Sequence, residues 1–186
     1  MNEPEPTDVG MERIDKLDAA RRQLKTAIRL FFQDGDSVSI HTLTEAARGL
    51  LQDLLEAQGK TSPLREVERD WVKPDRWNEY LAIMNRPRNF FKHANRDPDE
   101  VLEFRSRSTV FWLFECAALY QQLTARLLWE GFVFLVWFGL SYPDVLKKGM
   151  PLADMIRALK TQMGANLTKQ GFLDVLDSGV KLPNMD

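Results

Sequence analysis

The sequence contains few of the residues that disulfide frameworks and metal sites require. Its 186 residues include one cysteine, Cys116, so no disulfide can form within the chain. Two histidines and one cysteine are also too few for the cysteine- and histidine-rich clusters that hold structural zinc. No glycine-rich phosphate loop, nucleophile elbow or dinucleotide fingerprint is present. We therefore predict a protein that uses neither a metal nor a cofactor.

The sequence also lacks a long hydrophobic run. Its most apolar stretch, residues 131–140 (GFVFLVWFGL), is about half as long as a membrane-spanning helix and follows Glu130. Residues 1–10 have three acidic residues and no apolar stretch, unlike a signal peptide. These features predict a cytoplasmic protein without a membrane segment, in which residues 131–140 form a buried helix or a subunit interface.

The charge balance limits the ways in which the chain could bind nucleic acid. Lysine and arginine total 25 and aspartate and glutamate total 27, which gives a net charge of −2. Proteins that bind nucleic acid through their overall field are usually basic, so binding here would need a local cluster of cations. The hydrophobic fraction of 44% is that of an ordinary globular protein with one sizeable core.

Apolar residues recur at three-, four- and seven-residue spacings through most of the chain, as they do in amphipathic helices. The first such series is Ile14, Leu17, Leu24, Ile28 and Phe31. No window alternates apolar and polar residues as a strand does. We predict an all-α protein, a bundle of six to eight helices forming a single domain over residues 11–178. A flexible acidic tail, residues 1–10, would precede this domain, and a C-terminal tail, residues 179–186, would follow it.

Prolines and glycines mark several of the predicted helix boundaries. The first two helices are joined by a short polar turn and most simply form an antiparallel hairpin. A helix that starts at Pro74 meets Pro87, which lacks an N–H group and should kink or restart it. Another helix is predicted from Pro151 to Gly164.

Residues 88–93 (RNFFKH) bring together a cation, an amide and a histidine. On a helix, Asn89 and His93 are four residues apart and share a face, which Arg86 extends. Arg88 lies about 140° around the helix from His93 and so borders that face. Arginine binds phosphate oxygens through its planar guanidinium, and histidine exchanges protons near neutral pH. Because RNA supplies its own 2′-hydroxyl nucleophile, such a group can cleave it without a metal.

An arginine followed by a polar residue, with a histidine five positions after the arginine, resembles the R-x(4–6)-H motif of the HEPN superfamily. The resemblance implies a small helical bundle, commonly dimeric, in which the motifs of two copies form a metal-independent ribonuclease site. It implies that Arg88 binds phosphate, that His93 is the acid or base, and that Asn89 orients one of them. Arg86 and Lys92 are further candidate substrate-binding residues beside this motif.

The resemblance leaves more than one function open. In a branch of toxins paired with antitoxins, a tyrosine commonly stands two residues after the histidine, where this chain has Asn95. Many members of the superfamily bind without catalysis, so the alternative is a non-catalytic protein-interaction or RNA-binding module. The expected partners are RNA, a second copy of the chain, and a protein partner or antitoxin. A small-molecule site would require a deep apolar pocket.

Two other features complete the set of candidates. The remaining histidine, His41, follows the cap region of the second helix and is predicted to lie in solvent. The aromatic segments at residues 111–114 and 132–138 are apolar nearly all round. A surface helix needs only one apolar face, so we predict that part of these segments forms a homodimer interface.

Overall fold

A computed structural model describes residues 10–95, 97–143, 168–179 and 185–186. These residues form seven α-helices and no β-strand, which confirms the prediction of an all-α helical bundle. The helices are α1 (Lys16–Phe32), α2 (Ser37–Ala57), α3 (Pro63–Trp71), α4 (Trp77–Phe90), α5 (Thr109–Thr124), α6 (Trp129–Ser141) and α7 (Lys169–Asp177). The predicted acidic tail up to residue 9 and the helix predicted from Pro151 lie outside the described residues.

Side-chain caps fix where the first two helices begin. The Asp15 carboxylate accepts a hydrogen bond from the Asp18 N–H at 2.7 Å, and the Asp36 carboxylate accepts one from the Ser39 N–H at 2.7 Å. Because Asp15 caps α1, Ile14 precedes the helix and is 49% exposed. The prediction that Ile14 belongs to the apolar face of the first helix is therefore wrong.

The apolar core lies between α1, α2, α5 and α6, and α7 packs on α1 and α6. Leu24 and Ile28 of α1 and Phe134 and Phe138 of α6 are fully buried there. Removing each of these side chains from water contributes about 1.5–3 kcal/mol to stability. This packing holds α2 and α5 side by side, and their contact carries the polar groups discussed below.

Most of the apolar stretch at residues 131–140 is buried within one chain as part of α6. Neighbouring helices α1, α5 and α7 surround α6, so its apolar character on nearly every side follows from core packing. On α5, Phe111 remains 41% exposed. The aromatic segments therefore leave less apolar surface for a homodimer interface than their sequence indicated. No helix among the described residues is both long and apolar enough to cross a membrane.

Helix α4 lies outside the core and has no buried side chain. Its contact with the bundle is made against α2. The helix continues through Pro87 and ends at Phe90, so the predicted restart at Pro87 does not occur. Proline removes one N–H donor, and in the last turn of a helix this loss interrupts little of the remaining hydrogen bonding.

A buried ion pair joins α2 to α5. The Arg48 Nε atom donates to a Glu115 carboxylate oxygen at 2.5 Å, and the Arg48 guanidinium lies 4.2 Å from the centre of the Trp112 ring. The second Glu115 oxygen accepts hydrogen bonds from the Ser62 hydroxyl at 2.9 Å and from the Gln52 amide at 3.1 Å. Because Ser62 also caps α3, this network connects three helices.

The C-terminal residues contact the turn between α5 and α6. The Tyr120 hydroxyl donates to the Asp186 carboxylate at 2.8 Å, and Arg126 pairs with the same carboxylate at 2.7 Å. The neighbouring Met185 packs against the core. The chain that leads to this contact, residues 180–184, lies outside the described residues.

Substituting Arg48 with methionine should destabilise the protein strongly. The change keeps most of the side-chain length but leaves two buried carboxylates, Glu115 and Glu45, without their cation. Breaking a buried pair on one side costs about 3–5 kcal/mol. Urea unfolding followed by circular dichroism at neutral pH would measure this loss. The control Arg76→Met removes an exposed pair with Glu79 and should change stability little; equal stabilities for both variants would contradict the prediction.

Candidate functional site

The segment that carries the predicted site lies at the end of α4. The helix ends at Phe90, and the chain continues as a turn. The backbone N–H groups of Lys92 and His93 both donate to the Asn89 carbonyl, at 3.2 and 3.1 Å. His93 thus stays within one turn of Asn89 even though it lies beyond the helix.

An open cleft of about 550 Å³ contains three of the five predicted site residues. Arg86, Asn89 and His93 line one side of it, as their shared helix face predicted. The rest of the wall includes Asn95, Asp97 and Glu100, which belong to the turn after the segment. Arg86 pairs with Glu100, so its charge is already balanced by a carboxylate.

Arg88 does not line this cleft. Its side chain is half-buried against α2, where a methyl group built on Gly49 would lie 3.9 Å from the Arg88 Nη2 atom. Among the described residues, Arg88 forms no ion pair within 4.0 Å and no hydrogen bond through its side chain. Lys92, four residues later, is exposed. The positive charges of Arg88 and Lys92 both act on an acidic residue of α2, Glu45. The motif is therefore divided between two sides of α4.

Two residues that the sequence analysis did not place at the site lie beneath this segment. His41 is 1% exposed, and its ring contacts the rings of Phe91 and Phe104 at centroid distances of 5.7 and 5.0 Å. Its Nδ1 atom lies 2.9 Å from the Thr109 hydroxyl, and its Nε2 atom has no partner. The prediction that His41 lies in solvent is wrong, because α5 and the end of α4 cover this part of α2.

Glu45, one helical turn after His41, is 2% exposed. One of its carboxylate oxygens lies 3.7 Å from the Arg48 Nη1 atom, and the other has no hydrogen-bond partner. Burial raises the pKa of Glu45, while the positive charges of Arg48, Arg88 and Lys92 act to lower it. The sequence contains one usable signal: polar residues 41, 45 and 48 fall at helical spacing on one face of α2.

Each side of α4 offers different chemistry. In the cleft, the His93 ring is exposed, and its side chain has no hydrogen bond among the described residues, so it is free to exchange protons with a ligand. Asn89 adds an amide that can donate and accept hydrogen bonds. Arg88 and Lys92, which form no direct ion pair with any described residue, lie toward α2 and act on Glu45. Within the described part of the chain, no three histidine, cysteine, aspartate or glutamate side chains are grouped to hold a metal ion.

The comparisons with known proteins give no match. No family model matches the sequence, and neither a protein of curated function nor a solved structure is detectably similar to it. The resemblance of residues 88–93 to the HEPN motif therefore remains a prediction, and the function has to be argued from the site itself.

The burial of His41 should make stability depend on pH. Burial, and secondarily the charge of Arg48, lowers the pKa of His41 from 6.5 to about 4. Between these values the unfolded chain binds a proton that the folded chain excludes. Stability therefore falls as pH drops from about 6.5 to about 4, by up to about 3 kcal/mol.

Urea unfolding of wild type and His41→Gln across this pH range would measure the effect. Glu45, whose pKa is raised, acts in the opposite direction in both proteins, so the difference between them isolates the histidine. We expect the stability of the wild type to decline more steeply with acid than that of the variant. Parallel pH profiles would rule out a buried neutral histidine.

Proposed function

We propose that this protein binds single-stranded RNA at the end of α4 and cleaves it without a metal, with His93 as the acid or base. The observation that carries the proposal is the shared cleft, in which the free His93 ring lies beside Asn89 and Arg86. Histidine and amide groups in an open, polar cleft suit a flexible, polar substrate. The all-α fold is compatible with the resemblance to the HEPN superfamily.

The reaction would be an internal transfer of the phosphodiester. The RNA 2′-hydroxyl oxygen forms a bond to phosphorus while the bond from phosphorus to the 5′-oxygen breaks. The hydroxyl proton passes to the neutral His93 ring, and the departing 5′-oxygen takes a proton from water or from a protonated histidine. The products are a 2′,3′-cyclic phosphate and a free 5′-hydroxyl. The reaction needs no oxidant, cofactor or protein nucleophile.

The two cations of the motif on the α2 side of α4 would hold the phosphates once Arg88 turns toward the RNA. Arg88 and Lys92 are the members of the motif that no carboxylate neutralises through a direct ion pair within the described residues. An arginine binds phosphate through two parallel N–H groups, and a lysine binds it as a point charge. Arg86 is less suited to this role in the present arrangement because it is paired with Glu100.

A second copy of the chain would complete the site. Each cleft supplies one histidine, whereas cleavage uses one group that accepts a proton and one that donates it. Two exposed apolar residues, Ile83 (63%) and Val101 (85%), directly follow the cleft residues Ala82 and Glu100 in the chain. Burying these two side chains against a second copy would remove apolar surface from water and so favour a dimer.

One observation favours the alternative, a non-catalytic interaction module. Two carboxylates, Asp97 and Glu100, line the same cleft as His93 and make it partly acidic. Such a wall suits a basic side chain of a protein partner better than a phosphate. In that case His93 and Asn89 would contact the partner, and the protein would bind without cleaving.

Cleavage should disappear when His93 is replaced. We expect wild-type protein to cut labelled single-stranded RNA in the presence of EDTA and to leave 2′,3′-cyclic phosphate ends. The variant His93→Ala should lose this activity by at least about a hundredfold, the usual contribution of a general acid or base. Asn78→Ala, an exposed change at the other end of α4, is the control and should cleave normally. Equal cleavage by all three proteins would exclude the site, and no cleavage by any would favour the interaction module.

The protein should also be dimeric in solution. Light scattering coupled to gel filtration should give twice the 21.5 kDa chain mass at micromolar concentration. Placing a charge in the exposed apolar pair, as in Ile83→Asp, should shift the protein to monomer, while Val175→Asp on α7 should not. A monomeric wild type would contradict the proposal of a composite site.

A further inference from the structure

The buried charged groups between α2 and α5 carry more negative than positive charge. Two buried carboxylates, Glu45 and Glu115, share the single guanidinium of Arg48. Glu115 takes the close contact at 2.5 Å, whereas Glu45 is 3.7 Å away. An ionised carboxylate with one unpartnered buried oxygen is unfavourable unless another cation is nearby. The arrangement therefore favours an additional positive charge beside Glu45.

Arg88 is placed to supply that charge. Its guanidinium lies next to Gly49, one turn after Glu45 on α2, and a Cβ atom built on Gly49 would be in van der Waals contact with it at 3.9 Å. Arg88 is half-buried and makes no ion pair within 4.0 Å among the described residues, but its positive charge acts on Glu45 at longer range. Such an attraction is weaker than a direct salt bridge and can be overcome by a closer anion.

Because Arg88 lies against α2, its positive charge is not available in the cleft of His93. Among the described residues that line the cleft of His93, the one arginine is Arg86, and it pairs with Glu100. Arg88, which could also bind a phosphate at this end of α4, lies instead against α2. From these contacts we infer that Glu45 holds the Arg88 side chain against α2, away from the cleft, and so restrains phosphate binding at the RNA site. The consequence for RNA rests on the proposed function; the restraint of Arg88 does not.

In this arrangement Glu45 acts through Arg88 and is not a catalytic residue. A phosphate that enters beside Lys92 offers Arg88 a close, bidentate partner in exchange for the distant carboxylate. The two states of Arg88, against α2 and on the phosphate, then make RNA binding depend on the charge of Glu45. Neutralising Glu45 removes the attraction and leaves the arginine free before RNA arrives.

The first test does not involve RNA. Phenylglyoxal modifies accessible arginines, and mass spectrometry reports the rate at each site. In Glu45→Gln, a neutral substitution of the same size, Arg88 should be modified severalfold faster than in wild type. Arg86, which is paired with Glu100, is the internal reference and should not change. An unchanged rate at Arg88 would overturn the inference whatever the protein does with RNA.

The second test measures the binding of labelled single-stranded RNA to catalytically impaired His93→Ala protein over a series of salt concentrations. Glu45→Gln should tighten binding and steepen the dependence of log affinity on log salt by up to about 0.7, the value for one phosphate contact on a single strand, because Arg88 then contacts phosphate in every complex and not only in the fraction in which it has left Glu45. The matched control Asp53→Asn removes one exposed negative charge from the same helix and should leave the slope unchanged. In an Arg88→Ala background, Glu45→Gln should have no effect.

A second variant, Gly49→Leu, tests the same inference independently in case Glu45→Gln does not fold. Gly49→Leu leaves Glu45 intact, places a good helix former in α2, and fills the space beside the Arg88 guanidinium. It should reproduce the faster modification of Arg88 and the steeper salt dependence. Faster modification without a gain in RNA binding would overturn the restraint of the RNA site. Absence of RNA binding by every variant would sink the proposed function, and the modification rates alone would then decide whether Glu45 holds Arg88.

Discussion

Arg48 is buried between α2 and α5 with 6% of its surface exposed, and the groups around it must replace its lost hydration. Glu115 does so at 2.5 Å, and the Trp112 ring lies against the guanidinium face. Because Ser62 bonds to the same carboxylate, the pair also sets where α3 begins. The pair of Arg48 with Glu115 holds α2 against α5. The end of α4 packs on the polar face of α2 that includes His41 and Glu45.

The division of the candidate site follows from this packing. Phe91 contacts the His41 ring on α2 and fixes the rotation of the segment that contains the motif. With that rotation set, His93 faces an open cleft and Arg88 faces α2. Within the described chain the histidine and the arginine of the motif therefore have different surroundings, one an open cleft and the other the surface of α2.

The chemistry of the two sides differs because their surroundings differ. On the side of α2, burial suppresses the charged form of His41, and the pKa of this histidine falls to about 4. On the cleft side, His93 is exposed and keeps contact with solvent. The two histidines of the chain therefore differ in their surroundings: His41 is part of the packing, and His93 lies in an open cleft.

Several features could be predicted from the sequence because they depend on local rules. Helical spacing of apolar residues gave the all-α class, and the angle of about 140° between Arg88 and His93 indicated that both would not share one face. The burial of His41 and Glu45 could not be predicted, because α5, whose Thr109 contacts His41 and whose Glu115 pairs with Arg48, lies about 70 residues further along the chain. Local sequence determines which residues share a helix face; only the packing of distant helices decides whether that face meets water, a carboxylate or an aromatic ring.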